Sequence, residues 1–302
     1  MTLAQAAILA PVPLVGRYVF FSLLGDQAQG LALRNSLSRL ADWADGQQVV
    51  VGMGLSLVQA LGKEVPGLQA FKAISGHGVQ VPSTPAALCC WLRGNDRGDL
   101  VLLTRQLEKA LAPALQLDHV VDAFRHGQGP NGHGRDLTGY EDGTENPQGD
   151  EASQAALVVS DVPGLDGSSF MAVQQWLHDL DAFEAMSGTA QDHTIGRRRS
   201  DNEELEDAPL SAHVKRTAQE SFEPPAFVLR ASMPWAKDQQ AGLVFVAFGR
   251  SFDAFDALLH RMTGQDDGVV DAMFNISQPI TSAYFWCPPM HQGRLDGRLL
   301  GF

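Results

Sequence analysis

One pattern constrains the fold of this chain more than any other, and it occurs twice. Residues 87–107, ALCCWLRGNDRGDLVLLTRQL, run from a strand-length apolar stretch through a polar, arginine-containing turn into a segment with apolar residues at helical spacing. Residues 242–262, GLVFVAFGRSFDAFDALLHRM, repeat that order. A short apolar run bounded by turn residues reads as a strand, and apolar recurrence every three to four residues reads as an amphipathic helix. Elements that each bury one face must share a core. Two copies therefore predict an α+β fold of two similar units, each a split β-α-β arrangement with an antiparallel sheet.

The flanking segments extend both copies. In the first half, 17–24, 47–52, 87–93 and 118–124 read as strands, with helices over 27–44, 55–61 and 98–116. In the second, 156–159, 169–173, 227–230, 243–248 and 283–287 read as strands, with helices over 175–186 and 252–263. The expected division is 1–130 and 131–302. A chain of 302 residues with 44% hydrophobic content has enough apolar material for two such cores.

Charge excludes some partners. The net charge of −13 opposes binding to a phosphate backbone through a broad basic face and disfavours an anionic membrane surface. No uninterrupted apolar stretch reaches the length of a membrane span. Residues 1–16 are apolar, but their first basic residue, Arg17, follows the run instead of preceding it, and Pro11 and Pro13 interrupt it. The segment reads as an extended lead-in packed on the domain, not an export signal. Cys89, Cys90 and Cys287 cannot make a disulfide framework, which predicts a reducing, cytoplasmic setting.

Two polar segments, 125–155 and 188–221, carry His126, His133, His193 and His213, four of the nine histidines. Chemistry concentrates in such loops when a rigid scaffold holds them. The first contains GYEDGTENP at 139–147, where Gly139 and Gly143 permit tight turns on either side of Asp142. By its chemistry alone, Asp142 reads more simply as a residue capping its own turn.

RDLTGYEDGTENP (135–147), however, resembles the signature of the dye-decolourising peroxidases. IGR (195–197), SAHV (211–214), VLRASMPW (228–235), GLVFVAFGRS (242–251) and ITSAYFWCPP (280–289) match further family segments in the same order. The resemblance covers essentially the whole chain and is nearest to the compact bacterial, YfeX-like subgroup. It implies duplicated ferredoxin-like domains with one haem b per chain in the C-terminal half. It also implies oxidation of organic and aromatic donors such as dyes and phenolics by H2O2, through a ferryl intermediate, in a homo-oligomer.

The resemblance implies a role for each matching residue. His213 would be the axial iron ligand, Asp142 the distal proton carrier and Arg230 the distal charge stabiliser. Arg197 would meet a haem propionate, while Gly143, Thr144, Glu145, Ser232 and Phe245 would line the cofactor site. A carboxylate base predicts an acidic activity optimum. Two positions depart from part of the family. Ser232 stands where some relatives have Asn, and Asn275 where some have the Asp that accepts the proximal histidine's N–H. Asp271, nearby, is an alternative acceptor, and the sequence leaves that choice open.

Met233, Met262 and Met273 read as core, as do Trp176, Trp235, Trp286, Tyr18, Tyr140 and Tyr284, which could otherwise relay oxidising equivalents. Two rival functions share parts of this reading. One is haem handling, by porphyrinogen oxidation or iron release, on the same fold with the same His213. The other is a haem-free ferredoxin-like binding module. Packaging in an encapsulin shell is disfavoured, because only about a dozen residues follow the last strand.

Overall fold

The apolar runs form strands that are covered on both sides. A computed structural model describes residues 3–25 and 30–302. Its first half contains β1 (Val15–Leu23), α1 (Gly30–Trp43), β2 (Val49–Met53), α2 (Leu55–Ala60), the hairpin β3 (Ile74–Gly76) and β4 (Val79–Val81), β5 (Leu88–Gly94), α3 (Arg97–Leu111) and β6 (Leu115–Phe124). The second continues with α4 (Gly149–Ala156), β7 (Ser169–His178), α5 (Leu180–Glu184), α6 (Gly188–Ile195), α7 (His213–Arg216), β8 (Leu229–Arg230), β9 (Met233–Lys237), β10 (Gln240–Gly249), α8 (Asp253–Met262) and β11 (Ser277–Cys287), before the small pair β12 (Met290–His291) and β13 (Arg294–Leu295). Among the described residues no helix is long and apolar enough to cross a membrane.

The main strands pair antiparallel in the order β2-β5-β1-β6 in the first half and β11-β7-β10-β9 in the second. The two sets join edge to edge through Trp286 opposite Met53 and Ala123 opposite Trp235. Because β7 also pairs with β10, the sheet closes on itself. Closure leaves an inner and an outer layer of side chains. Along β1, Val19 and Phe21 join the outer core beneath the helices, while Tyr18 and Phe20 join the inner one with Val50, Trp91, Met171 and Phe285. With both faces buried, β2 and β5 read as continuous apolar runs with no polar alternation. Gly52 marks a close approach of the two halves. A Cβ there would lie 2.6 Å from Met171 Cε and 2.8 Å from Phe285 Cβ.

Several elements differ from the sequence expectation. The predicted helix over 175–186 is a strand as far as His178, since β10 and β11 both pair with β7 and take up its backbone groups; only Leu180–Glu184 is helical. Residues 156–159 are not a strand: α4 ends at Ala156, Val158 N–H donates to Ser168 C=O at 2.8 Å, and Val159 is 93% exposed. The helix expected over 98–116 stops at Leu111, because Pro113 drives Ala112 into an extended conformation. Of the helix expected over 27–44, residues 27–29 lie outside the described residues, as do residues 1 and 2 of the lead-in. The rest of the lead-in packs as expected. Gln5 bonds both the N–H and the C=O of Val51 through its side chain.

Candidate active site

The site lies on the outer face of the second half, between the sheet and α8. His213 opens the four-residue helix α7. Its loop is stitched to the segment after α8 by a bond from Ala272 N–H to Ser211 C=O (2.7 Å). That segment brings Asp271, whose side chain is fully buried, against the ring: His213 Nδ1 lies 2.8 Å from Asp271 Oδ2. Asp271 Oδ1 accepts from Met273 N–H at 2.9 Å, which fixes the carboxylate. Burial pulls the His213 pKa down, but the charge and hydrogen bond of Asp271 outweigh it and leave it raised. An oxygen acceptor at Nδ1 keeps the proton there, and no described residue bonds to Nε2.

Across the cavity stands the 135–147 loop. Gly139 (φ 87°) and Gly143 (φ 77°) adopt left-handed conformations that favour glycine. Asp142 N–H donates to Gly134 C=O at 2.9 Å, and Glu141 accepts from Asn131 N–H (2.7 Å) and Asn202 Nδ2 (3.0 Å). Asn146 docks the loop onto β8: its Nδ2 donates to Arg230 C=O at 2.7 Å and its Oδ1 accepts from Arg230 N–H at 2.9 Å. Arg230 sits where the chain alongside β10 breaks between β8 and β9, and irregularities of this kind re-aim a side chain. Its buried Nε has no hydrogen-bond partner, and its guanidinium has no ion-pair partner among the described residues. Burial pushes the Asp142 carboxyl up, with the Arg230 charge pulling partly back.

Asp142, His213 and Arg230 line one cavity of about 100 Å3, walled by Val228, Leu243, Phe245, Phe255, Leu259 and Met262. An outer chamber of about 450 Å3 shares Asp142, Arg230 and Leu243 with it and adds Gly143, Asn146 and Ser232. The donor set fits an iron porphyrin: a bare imidazole nitrogen with an anionic partner behind it, apolar walls for a flat ring, and an unpaired guanidinium opposite.

The structure thus brings together four of the expected residues, Asp142, His213, Arg230 and Phe245, with Gly143 and Ser232 in the adjoining chamber. Ser232 Oγ accepts from Val246 N–H at 3.4 Å. Thr144 and Glu145 instead line a separate groove. Arg197 borders neither cavity: its guanidinium bonds Glu145 (2.7 Å) and Asn202 C=O (3.0 Å). Asn275 is not the acceptor for His213; Asp271 is, because the loop after α8 delivers it there. Met262, Met273 and Trp176, expected as core, line the cavity. Sequence reasoning gave no role to Asn146, although it lies within the 135–147 signature, nor to His178 and Ser277, which also line the cavity.

Fold and site together define a protein whose one face holds a carboxylate-backed imidazole opposite a half-buried aspartate and arginine. Residues 133–292, more than half of the chain, match the Dyp-type peroxidase C-terminal family, and the chain belongs to the Dyp-type peroxidases. A dye-decolorizing peroxidase of Mycolicibacterium paratuberculosis is 29% identical over 227 residues, covering 73% of this chain and 63% of that protein. The crystal structure of a Dyp-type peroxidase protein from Shewanella oneidensis superposes with a TM-score of 0.88 at 26% identity, over 100% of this chain and 99% of that one. A DypB variant from Rhodococcus jostii, solved in complex with haem, gives 0.79 at 26% identity over 95% and 97% of the two chains.

Proposed function

We propose that this protein binds one haem b per chain between His213 and the Asp142–Arg230 pair and uses H2O2 to oxidise small organic or aromatic donors. The observation that carries this reading is the bare Nε2 of His213 opening into the cavity that Asp142 and Arg230 line from the other side. His213 would hold the iron, with Asp271 fixing its tautomer and raising its basicity. When bound, the haem supplies the redox-active iron that cleaves the peroxide bond and takes electrons from a donor.

The chain supplies the protons and the charge. Peroxide enters by the outer chamber, past Gly143 and Ser232. Ionised Asp142 takes a proton from one peroxide oxygen and returns it to the other, which leaves as water. Arg230, pinned through its backbone by Asn146, balances the negative charge that develops on that oxygen. Its unpaired guanidinium supports this role, since a buried donor without a partner awaits one. Phe245 walls the cofactor site. Arg197 would turn from Glu145, which is 65% exposed, to a propionate.

The same reading takes 1–130 and 131–302 as duplicated ferredoxin-like units, supported by the matching strand orders. The C-terminal residues return to the first unit, where Arg34 bonds Leu300 C=O at 2.9 Å. Three buried, unpaired cysteines support a reducing, cytoplasmic setting. The test is stopped-flow reaction of the haem-loaded protein with H2O2. Arg230→Ala and Asp142→Ala should each slow it by about 100-fold or more, from the usual size of such terms. An unchanged rate in both would refute the distal assignment.

A further inference from the structure

A polar chain crosses the apolar wall of the cavity, and the peroxide chemistry above does not use it. His178 ends β7 and Ser277 begins β11, where the two are register partners. His178 Nδ1 lies 2.6 Å from Ser277 Oγ, and His178 Nε2 lies 3.2 Å from Asp136 Oδ1. Asp136 Oδ2 accepts from the N–H and hydroxyl of Thr138 at 2.9 and 2.6 Å. All four residues are buried, the His178 side chain to 2% exposure.

The two ends of this chain open in different places. His178 and Ser277 line the inner cavity and also the floor of a separate surface pocket of about 440 Å3, formed by residues 177–181, 239–241 and 274–278. Asp136 lines the outer chamber beside Asp142. A hydroxyl, an imidazole and a carboxylate therefore run in hydrogen-bonded sequence from solvent on one side of the wall to the peroxide chamber on the other. Here each ring nitrogen has a partner facing a different compartment, the arrangement a proton shuttle requires.

We propose that Ser277, His178 and Asp136 form a proton conduit from the surface pocket to the distal chamber, separate from the peroxide entrance. A proton from solvent replaces that of Ser277 Oγ as the hydroxyl protonates His178 Nδ1. The N–H bond at Nε2 breaks as an O–H bond forms on Asp136, which releases the proton toward Asp142. A flip of the ring then turns the protonated nitrogen toward Asp136 and the bare one toward Ser277, ready for the next transfer. The inference rests on the peroxidase reading, because that reaction consumes protons whenever the donor gives electrons alone: H2O2 plus two ferrocyanide ions and two protons yields two waters and two ferricyanide ions. Hydroquinone brings its own protons: H2O2 plus hydroquinone yields two waters and benzoquinone.

The test compares these donors in the haem-loaded protein. In His178→Gln, turnover with saturating ferrocyanide should fall at least fivefold more than turnover with hydroquinone. Ser277→Ala should give the same split, more weakly, and serves if the histidine variant does not fold. Equal losses with both donors, or none, would overturn the conduit. A second readout needs no turnover. In the full chain without cofactor, the His178 ring N–H should exchange with D2O within seconds despite its burial, and Ser277→Ala should slow that exchange at least tenfold. Slow exchange in the unaltered chain would overturn the proposal. Absence of any peroxide reaction would instead refute the peroxidase reading and leave the exchange test to decide the conduit.

Discussion

The replacement Asp271→Asn probes the side of the site that the sequence left open. The Asp271 carboxylate accepts two N–H groups, from His213 Nδ1 at 2.8 Å and from Met273 at 2.9 Å, and it is fully buried. The two donors sit on different carboxylate oxygens, and asparagine keeps only one of these, so it satisfies one donor in place. If that oxygen stays with Met273, the amide NH2 faces Nδ1. The ring then carries its proton on Nε2, the tautomer that cannot ligate iron. If the amide turns to serve His213, the buried Met273 N–H loses its partner, at about 1–3 kcal/mol. Either way haem affinity should fall by about 10–100-fold, the usual penalty for losing a ligand's supporting hydrogen bond. The assay is competition for haem with excess apomyoglobin. Asn275→Ala, the control, should leave affinity within about twofold. Unchanged affinity in Asp271→Asn, or a loss confined to Asn275→Ala, would refute the assignment.

Other positions give independent outcomes. Asn146→Ala removes the two bonds that hold Arg230's backbone. It should cost about 1–3 kcal/mol in denaturant unfolding and slow the peroxide reaction, while Phe245 and His213 still hold haem. As the proposed base, Asp142 would act only when ionised, and burial raises its pKa. The peroxide rate should therefore fall as pH drops through a value above the ordinary carboxylate range, and Asp142→Asn should abolish that limb. A raised acid contributes stability below its unfolded pKa and loses it as pH rises through the folded one. Asp142→Asn should accordingly raise Tm at pH 7 more than at pH 4, measured by calorimetry. Gly52→Ala would drive a methyl into Met171 and Phe285 and should destabilise the cofactor-free protein by about 1–3 kcal/mol.

What the sequence revealed follows from how local each signal is. The repeated strand–turn–helix unit was legible because β5 with α3, and β10 with α8, are contiguous segments whose periodicity is set by their own burial. The helix expected over 175–186 failed for the opposite reason. Trp176, Leu177 and Phe183 fit a helical stripe, but pairing from two distant strands decides the conformation, and no local pattern reports it. Asp142, His213 and Arg230 were found through motif order, not through any property of the residues themselves. Asp271 caps and Asn275 ends one short 3-10 helix, too brief to show a periodicity, so only the path of the backbone distinguishes them. His178 escaped notice because its partners, Asp136 and Ser277, are 42 and 99 residues away in sequence.

The central claim is that His213 carries the iron in a cavity closed by Asp142 and Arg230. Optical spectra of the purified protein and of His213→Ala, each titrated with haem, test it directly. The account predicts one haem per chain with a histidine-ligated spectrum that changes on adding H2O2. It predicts that His213→Ala loses that spectrum and recovers it when free imidazole is supplied. Equal haem content and an unaltered histidine-ligated spectrum in His213→Ala would contradict it.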